Sequence, residues 1–163
     1  LAVAASPARA AGGLHPSLRL RGRLSAALSA QPQRAAGKIG SMQRLFALRG
    51  ANTVPRNDAE AILSATAELL RELMARNGLA PEAMVSAIFT LTDDLNAAFP
   101  ALAARQLGLD QVPLLCAREV PVPGSMPRVI RTLLHYYADE DHTPRHVYLG
   151  EARALRADLH AAQ

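Results

Sequence analysis

Three charged side chains stand where the strands of an aliphatic domain should carry none. Arg131 interrupts the run Val129-Ile130-Arg131-Thr132-Leu133-Leu134, Glu119 closes Leu114-Leu115-Cys116-Ala117-Arg118, and Arg49 ends an apolar stretch just before Gly50. A guanidinium inside a buried strand needs an anion, because an unpaired buried charge is costly. A local carboxylate, solvent reached by a snorkelling side chain, or a bound ligand would each answer that need. Glu119 poses the mirror-image problem, answerable by Arg131 or by Arg118 of another chain. Three such charges in strands otherwise poor in polar residues point to an anion pocket at the edge of a sheet.

Other catalytic templates fit badly. Cys116, the single cysteine, has no helix N-terminus immediately after it and no histidine nearby in sequence, so a buried structural thiol is as good an account as any functional one. His142 and His146 are four apart, but Pro144 between them spoils a metal-binding helix face. Asp93-Asp94 suits a solvated turn or a helix cap. Ala36-Gly37-Lys38 lacks the spacing of a phosphate-cradling loop. Acid–base, nucleophilic and metal mechanisms are poorly equipped here, and no cofactor is expected. A reaction that needs only positioning and fixed charge is well served.

The elements that must position these charges alternate between strand and helix. Residues 44–49 predict a short strand ending at Gly50. Asn57 or Asp58 can cap a long helix to about Arg76, with Ile62, Leu63, Leu69, Leu70 and Leu73 as its apolar stripe and Asn77-Gly78 as its stop. Residues 84–92 predict a second strand, 97–107 a helix with Pro100 in its first turn, 112–120 a third strand, 128–138 a long fourth and 145–149 a fifth, before a short segment to Leu159. The order βαβαβββ implies an α/β (α+β) domain whose mixed or mostly antiparallel sheet carries helices on one face. The other face must be covered by something, and self-association is the simplest answer. Within the third strand Cys116 and Glu119, three apart, fall on opposite faces.

The chain has 163 residues, room for one domain, and its core must be aliphatic, with no Trp and only three Tyr and three Phe. No apolar run approaches membrane-spanning length, and no membrane partner is expected. The net charge of +4 is unevenly distributed: eight basic side chains and no acid lie in residues 1–50, whereas ten basic and fourteen acidic residues follow. Residues 1–41 are rich in Ala, Ser, Arg, Pro and Gly and lack apolar periodicity, so a disordered basic leader is expected there, followed by a folded domain over 42–163. A transit peptide, an over-extended start before Met42 and a nucleic-acid-binding arm stay open for that leader, although no aromatic is interleaved with its arginines and no nucleic-acid partner is expected. The expected location is the cytoplasm, or an organelle if the leader is a transit peptide.

Five ordered motifs carry a resemblance. They are Leu48-Arg49-Gly50-Ala51-Asn52-Thr53-Val54; Ala98-Phe99-Pro100-Ala101 with Arg105; the run from Val112 to Ser125; Val129-Ile130-Arg131; and Arg145-His146-Val147-Tyr148-Leu149 with Leu155-Arg156-Ala157-Asp158-Leu159. Together, at nearly constant spacing from Met42 to Leu159, the chain resembles the monofunctional chorismate mutases of the AroH class. The resemblance implies a homotrimeric pseudo-α/β-barrel with active sites between subunits and the Claisen rearrangement of chorismate to prephenate. It implies that Arg131 meets the ether oxygen of the breaking bond and a side-chain carboxylate, that Arg49 and Tyr148 hold that carboxylate, and that Glu119 accepts from the substrate hydroxyl with Cys116 beside it. Phe99, Ala101, Leu114 and Leu155 would form apolar walls, with Leu115 where some members have threonine, while Arg105 and Arg156 would meet the ring carboxylate. Leu102 stands where the family commonly has a lysine. A small-anion-binding or deaminase-like trimer of related topology, or a basic interaction protein acting through the leader, are the competing functions.

Overall fold

A computed structural model describes residues 42–160, so the leader expected over 1–41 lies outside the described residues. The chain runs through β1 (Gln43–Thr53), α1 (Ala59–Asn77), β2 (Met84–Leu91), α2 (Ala101–Gln106), β3 (Leu114–Arg118), β4 (Val129–Asp139), β5 (Val147–Tyr148) and α3 (Ala157–His160), with 3-10 turns at Pro81–Ala83 and Gly150–Arg156. The five strands form one mixed sheet in the order β3-β2-β4-β1-β5. β4 is antiparallel to both β1 and β2, while β5 joins β1 and β3 joins β2 in parallel.

The long helix begins and stops where its sequence dictates. Asp58 is extended and its carboxylate accepts the Ala61 N–H at 3.0 Å, satisfying one of the orphan donors of the first turn. Gly78 takes the left-handed conformation at φ 60°, which only glycine adopts cheaply. Leu69, Leu70 and Leu73 then bury against Phe46, Leu48, Ala87, Phe89 and Leu134 on one face of the sheet. The approach is close at Gly50, where an added Cβ would lie 2.8 Å from Leu73 Cδ1 and 3.1 Å from Leu69 Cδ1. That contact explains a glycine inside a strand. Tyr136 is fully buried on the same side, stacked on Phe46 at 5.9 Å and hydrogen-bonded to His142 Nε2 at 2.9 Å. Burial pushes its phenol above the ordinary value.

Among the described residues, no helix layer covers most of the opposite face of the sheet. Leu45, Val85, Leu115 and Tyr137 are exposed there, and only the corner near β5 is covered, by Ala152 packed on Ala51, Val129 and Tyr148 with Leu155 beside them. Expected and observed elements differ mainly at their ends. β1 continues past Gly50 to Thr53, because all eleven of its residues pair with β4. α2 starts after Pro100 rather than at Ala97, since Asn57 Oδ1 accepts the N–H groups of Asn96 and Ala97 at 3.0 and 3.1 Å and keeps that stretch out of the helix. β3 and β5 are shorter than expected, and the segment after Leu149 is a 3-10 turn leading into α3.

Candidate functional site

The sheet register brings the sequence-derived charges together. Across the uncovered face, Thr90 of β2 is opposite Arg131 of β4, Arg131 is opposite Ala51 of β1, and Ala51 is opposite Tyr148 of β5. Arg49 is two residues from Ala51, so it shares this face and lies diagonal to Arg131, within reach of a long side chain. Arg49, Arg131, Ile88, Thr90 and Leu133 line a cavity of about 300 Å³.

Arg131, at the cavity, forms an ion pair with Glu119. Glu119 Oε2 accepts from the Arg131 guanidinium, and its Oε1 accepts the Thr90 hydroxyl at 2.5 Å. The side chains are 31% and 16% exposed, so the pair is partly shielded from solvent. The Glu119 main-chain N–H is anchored on Leu91 O at 2.9 Å, one residue past the end of β3. Arg49 differs: among the described residues no carboxylate pairs with its guanidinium, which leaves a free positive charge at the cavity.

Beside Arg49 the edge of the sheet is completed by a side chain. β5 offers only Val147 and Tyr148 to β1, and the next rung is supplied by His146, whose Nδ1 accepts the Arg49 N–H at 3.1 Å. This bond requires an unprotonated Nδ1. Burial lowers the His146 pKa, and the Arg49 and Arg156 cations lower it further. Arg156 is itself held charged by Asp158, whose carboxylate accepts from Nε at 2.9 Å and from Nη2 at 2.8 Å.

A depressed histidine pKa in the folded state has a definite sign. The unfolded chain takes up a proton near the ordinary value of about 6.5, while the folded chain resists it. The stability concerned is therefore complete above about pH 6.5 and declines as pH falls toward the folded value. Melting temperature measured from about pH 7 down to about pH 5 should fall more steeply for the wild type than for His146→Asn. Equal slopes would show that this ring is not under strain from its cationic neighbours.

The remaining expected residues gather on the other side of β3. Cys116 is opposite Phe89 and half-buried against the main core. It opens onto a groove of about 640 Å³ that also touches Leu63, Phe99, Ala101, Leu102 and Arg105. Phe99, beside this apolar groove, is 75% exposed. Leu114 packs into the main core, whereas Leu115, 58% exposed, stands on the uncovered face at the β3 edge. Tyr148 and Leu155 pack at the β5 corner of the face that carries Arg49 and Arg131, with Arg156 near Tyr148 and His146. The opposite-face assignment of Cys116 and Glu119 thus corresponds to two separate surfaces of one chain. Thr90 and His146 join the site through the fold alone. In the sequence Thr90 shows only as a polar residue alternating with Phe89 and Leu91, and His146 only as half of a spoiled metal-binding pair and as part of the motif around Tyr148.

One surface therefore offers two guanidiniums, a carboxylate acceptor and a phenol, and the other an apolar groove with Arg105 near it. Such a set can grip a compact dicarboxylate and stabilise developing negative charge on an oxygen without moving a proton.

Comparison with known proteins agrees with this chemistry. A family model described as chorismate mutase type I matches residues 45–159. A chorismate mutase AroH from Thermus thermophilus is 55% identical over 121 residues, which span 71% of this chain and 97% of that protein. A chorismate mutase AroH from Bacillus subtilis (strain 168) is 40% identical over 114 residues, 69% of this chain and 90% of its own length. A solved chorismate mutase from Clostridium thermocellum superposes with a TM-score of 0.65 at 44% identity, covering 67% of this chain and 98% of that one.

Proposed function

The chain belongs to the type I chorismate mutase family and is an isomerase converting chorismate to prephenate in aromatic amino acid biosynthesis, and from that premise we propose that it works by gripping its substrate between fixed cations at a seam between identical chains. The observation that carries this is the shared cavity of Arg49 and Arg131, with Arg131 oriented by Glu119.

Chorismate is a flexible dianion, and its rearrangement makes one carbon–carbon bond as one carbon–oxygen bond breaks, with no proton transferred and no covalent intermediate. The barrier falls if the side chain is held over the ring in a chair-like conformer and if a positive group faces the ether oxygen as it gains electron density. Arg131 supplies the second need, donating to that oxygen and to the side-chain carboxylate. Arg49 and Tyr148 fix the same carboxylate, so the conformer is set by charge rather than by induced closure. Glu119 serves twice, since its carboxylate holds the Arg131 fork and also accepts from the substrate hydroxyl. Phe99, Ala101, Leu115 and Cys116 exclude water around the ring, and Arg105 with Arg156 meets the ring carboxylate at the mouth.

These residues lie on two surfaces of one chain, so a complete site needs the groove of one copy over the uncovered face of the next. A homotrimer satisfies this with three identical seams, and the exposed Leu45, Val85, Leu115 and Tyr137 are the apolar area such seams would bury.

None of these steps calls for a metal or an organic cofactor. The purified chain given chorismate and a strong chelator should consume it, seen as loss of chorismate absorbance with matching prephenate, at the rate measured without chelator. A chelator-sensitive rate restored by a divalent cation would overturn the purely electrostatic scheme.

A further inference from the structure

Asp94, the second half of the Asp93-Asp94 pair and outside every contact with substrate proposed above, is bound up with the start of the strand that carries Arg131. Its carboxylate accepts the Arg128 main-chain N–H through both oxygens, at 3.1 and 2.9 Å, and accepts the Thr92 hydroxyl at 2.5 Å. The Thr92 hydroxyl oxygen in turn accepts the Val129 N–H at 3.0 Å, and the Thr92 main-chain N–H donates to Val129 O at 3.1 Å. On the other side, Arg128 Nε donates to Val54 O at 3.1 Å and Arg128 O accepts the Val54 N–H at 2.8 Å.

The conformation held by these bonds is an uncommon one. Arg128 has φ 51°, the only positive φ at a non-glycine among the described residues, and it stands three positions before Arg131. A side-chain-bearing residue stays in the left-handed region only where its surroundings over-determine it. Here they do: the segments that follow β1 and β2 both bond to the residues that open β4. Without the carboxylate, Arg128 is free to return to an ordinary conformation. The first rungs of β4 would then shift, and Arg131 is the third residue of that strand.

The geometry points to Asp94 as a positioning residue for the rearrangement: through Thr92 and the strained Arg128 it sets where the Arg131 guanidinium meets the substrate ether oxygen. The role depends on Arg131 contacting substrate as proposed above. Small displacements of a preorganised donor cost far more in the transition state than in binding, because charge on the oxygen develops only there. Loss of Asp94 should therefore appear in kcat and spare KM.

The experiment compares Asp94→Ala, Asp94→Asn and the wild type at a temperature well below each melting point, with prephenate titration counting the competent sites. Asp94→Ala is expected to lower kcat about tenfold or more, with KM within about threefold and the site count unchanged; Asp94→Asn, which keeps an acceptor for Arg128, should recover most of the loss. If Asp94→Ala does not fold, Thr92→Val removes the hydroxyl relay instead. It should lower kcat about fivefold, and Thr92→Ser should restore it. Unchanged kcat in the folded variants, or a loss matched by an equal loss of prephenate sites, overturns the assignment. Arg131→Ala run alongside separates the two failures: if it is inactive while Asp94→Ala and Thr92→Val are normal, only the role of Asp94 falls.

Discussion

Arg131→Ala is expected to lower turnover by roughly 10²- to 10³-fold, the usual consequence of removing one preorganised donor aimed at developing negative charge. The loss should be larger in kcat than in KM. In the proposed scheme Arg49, which also lines the cavity, still attracts the dianion, whereas facing the ether oxygen falls to Arg131 alone. Arg131→Lys should do nearly as badly. An ammonium can keep one contact to Glu119, but it lacks the planar fork that allows Glu119 and substrate to be served together. Removing the guanidinium also leaves the Glu119 carboxylate, 16% exposed, with the Thr90 hydroxyl but no cation, so some destabilisation accompanies the catalytic loss. Melting curves run with the kinetics separate the two effects. Near-normal turnover in a folded Arg131→Ala protein would remove the centre of the mechanism.

A mixed assembly should regain what each of two inactive parents has lost. Arg131→Ala removes the key donor from the uncovered face, and Arg105→Glu puts a repelling carboxylate beside the apolar groove. If each site takes one surface from each of two neighbouring chains, random assortment of equal amounts leaves about one site in four with both surfaces intact. Co-expressed and co-purified, the mixture should show about one quarter of wild-type turnover, far above either parent. The same two substitutions placed on one chain and mixed with nothing should stay inactive. Failure of the mixture to rise above its parents, with assembly verified by size, would mean that a single chain completes its own site.

The legible parts of the fold are those where one local force acts alone. The helix over 59–77 announces itself by a capping aspartate, a leucine stripe and a stopping glycine, and the structure agrees to within a residue. The strand bearing Arg131 is legible because three β-branched residues and two leucines flank the charge, and it begins one residue later than expected, at Val129. The second half of β1 is not legible. Gly50 and Asn52 look like a turn in sequence, and they occur in a strand because Leu69 and Leu73 press on one and Ala65 O accepts from the side chain of the other at 3.1 Å. Those contacts come from a helix whose nearest partner is 13 positions away in the chain, which no local pattern encodes. The same holds for the site: Arg49, Arg131 and Glu119 stand out as charges in apolar runs, and the parity of β3 separates Cys116 from Glu119. Thr90, His146 and the Asp94–Arg128 contact depend on pairing between strands, so they become visible only with the register.

The β1–β4 ladder, with its eleven matched pairs from Gln43–Asp139 to Thr53–Val129, has a consequence for how errors in folding are rejected. Sliding one strand by a single position would turn its whole set of side chains over. Arg131, or Arg49, would be driven among leucines, and Leu134 or Leu48 would be left in water. A misregistered β1–β4 pair is thus barred by solvation before any partner or metabolite is met. Natural selection for a chain that merely folds would already hold both guanidiniums at the correct height and on the correct side.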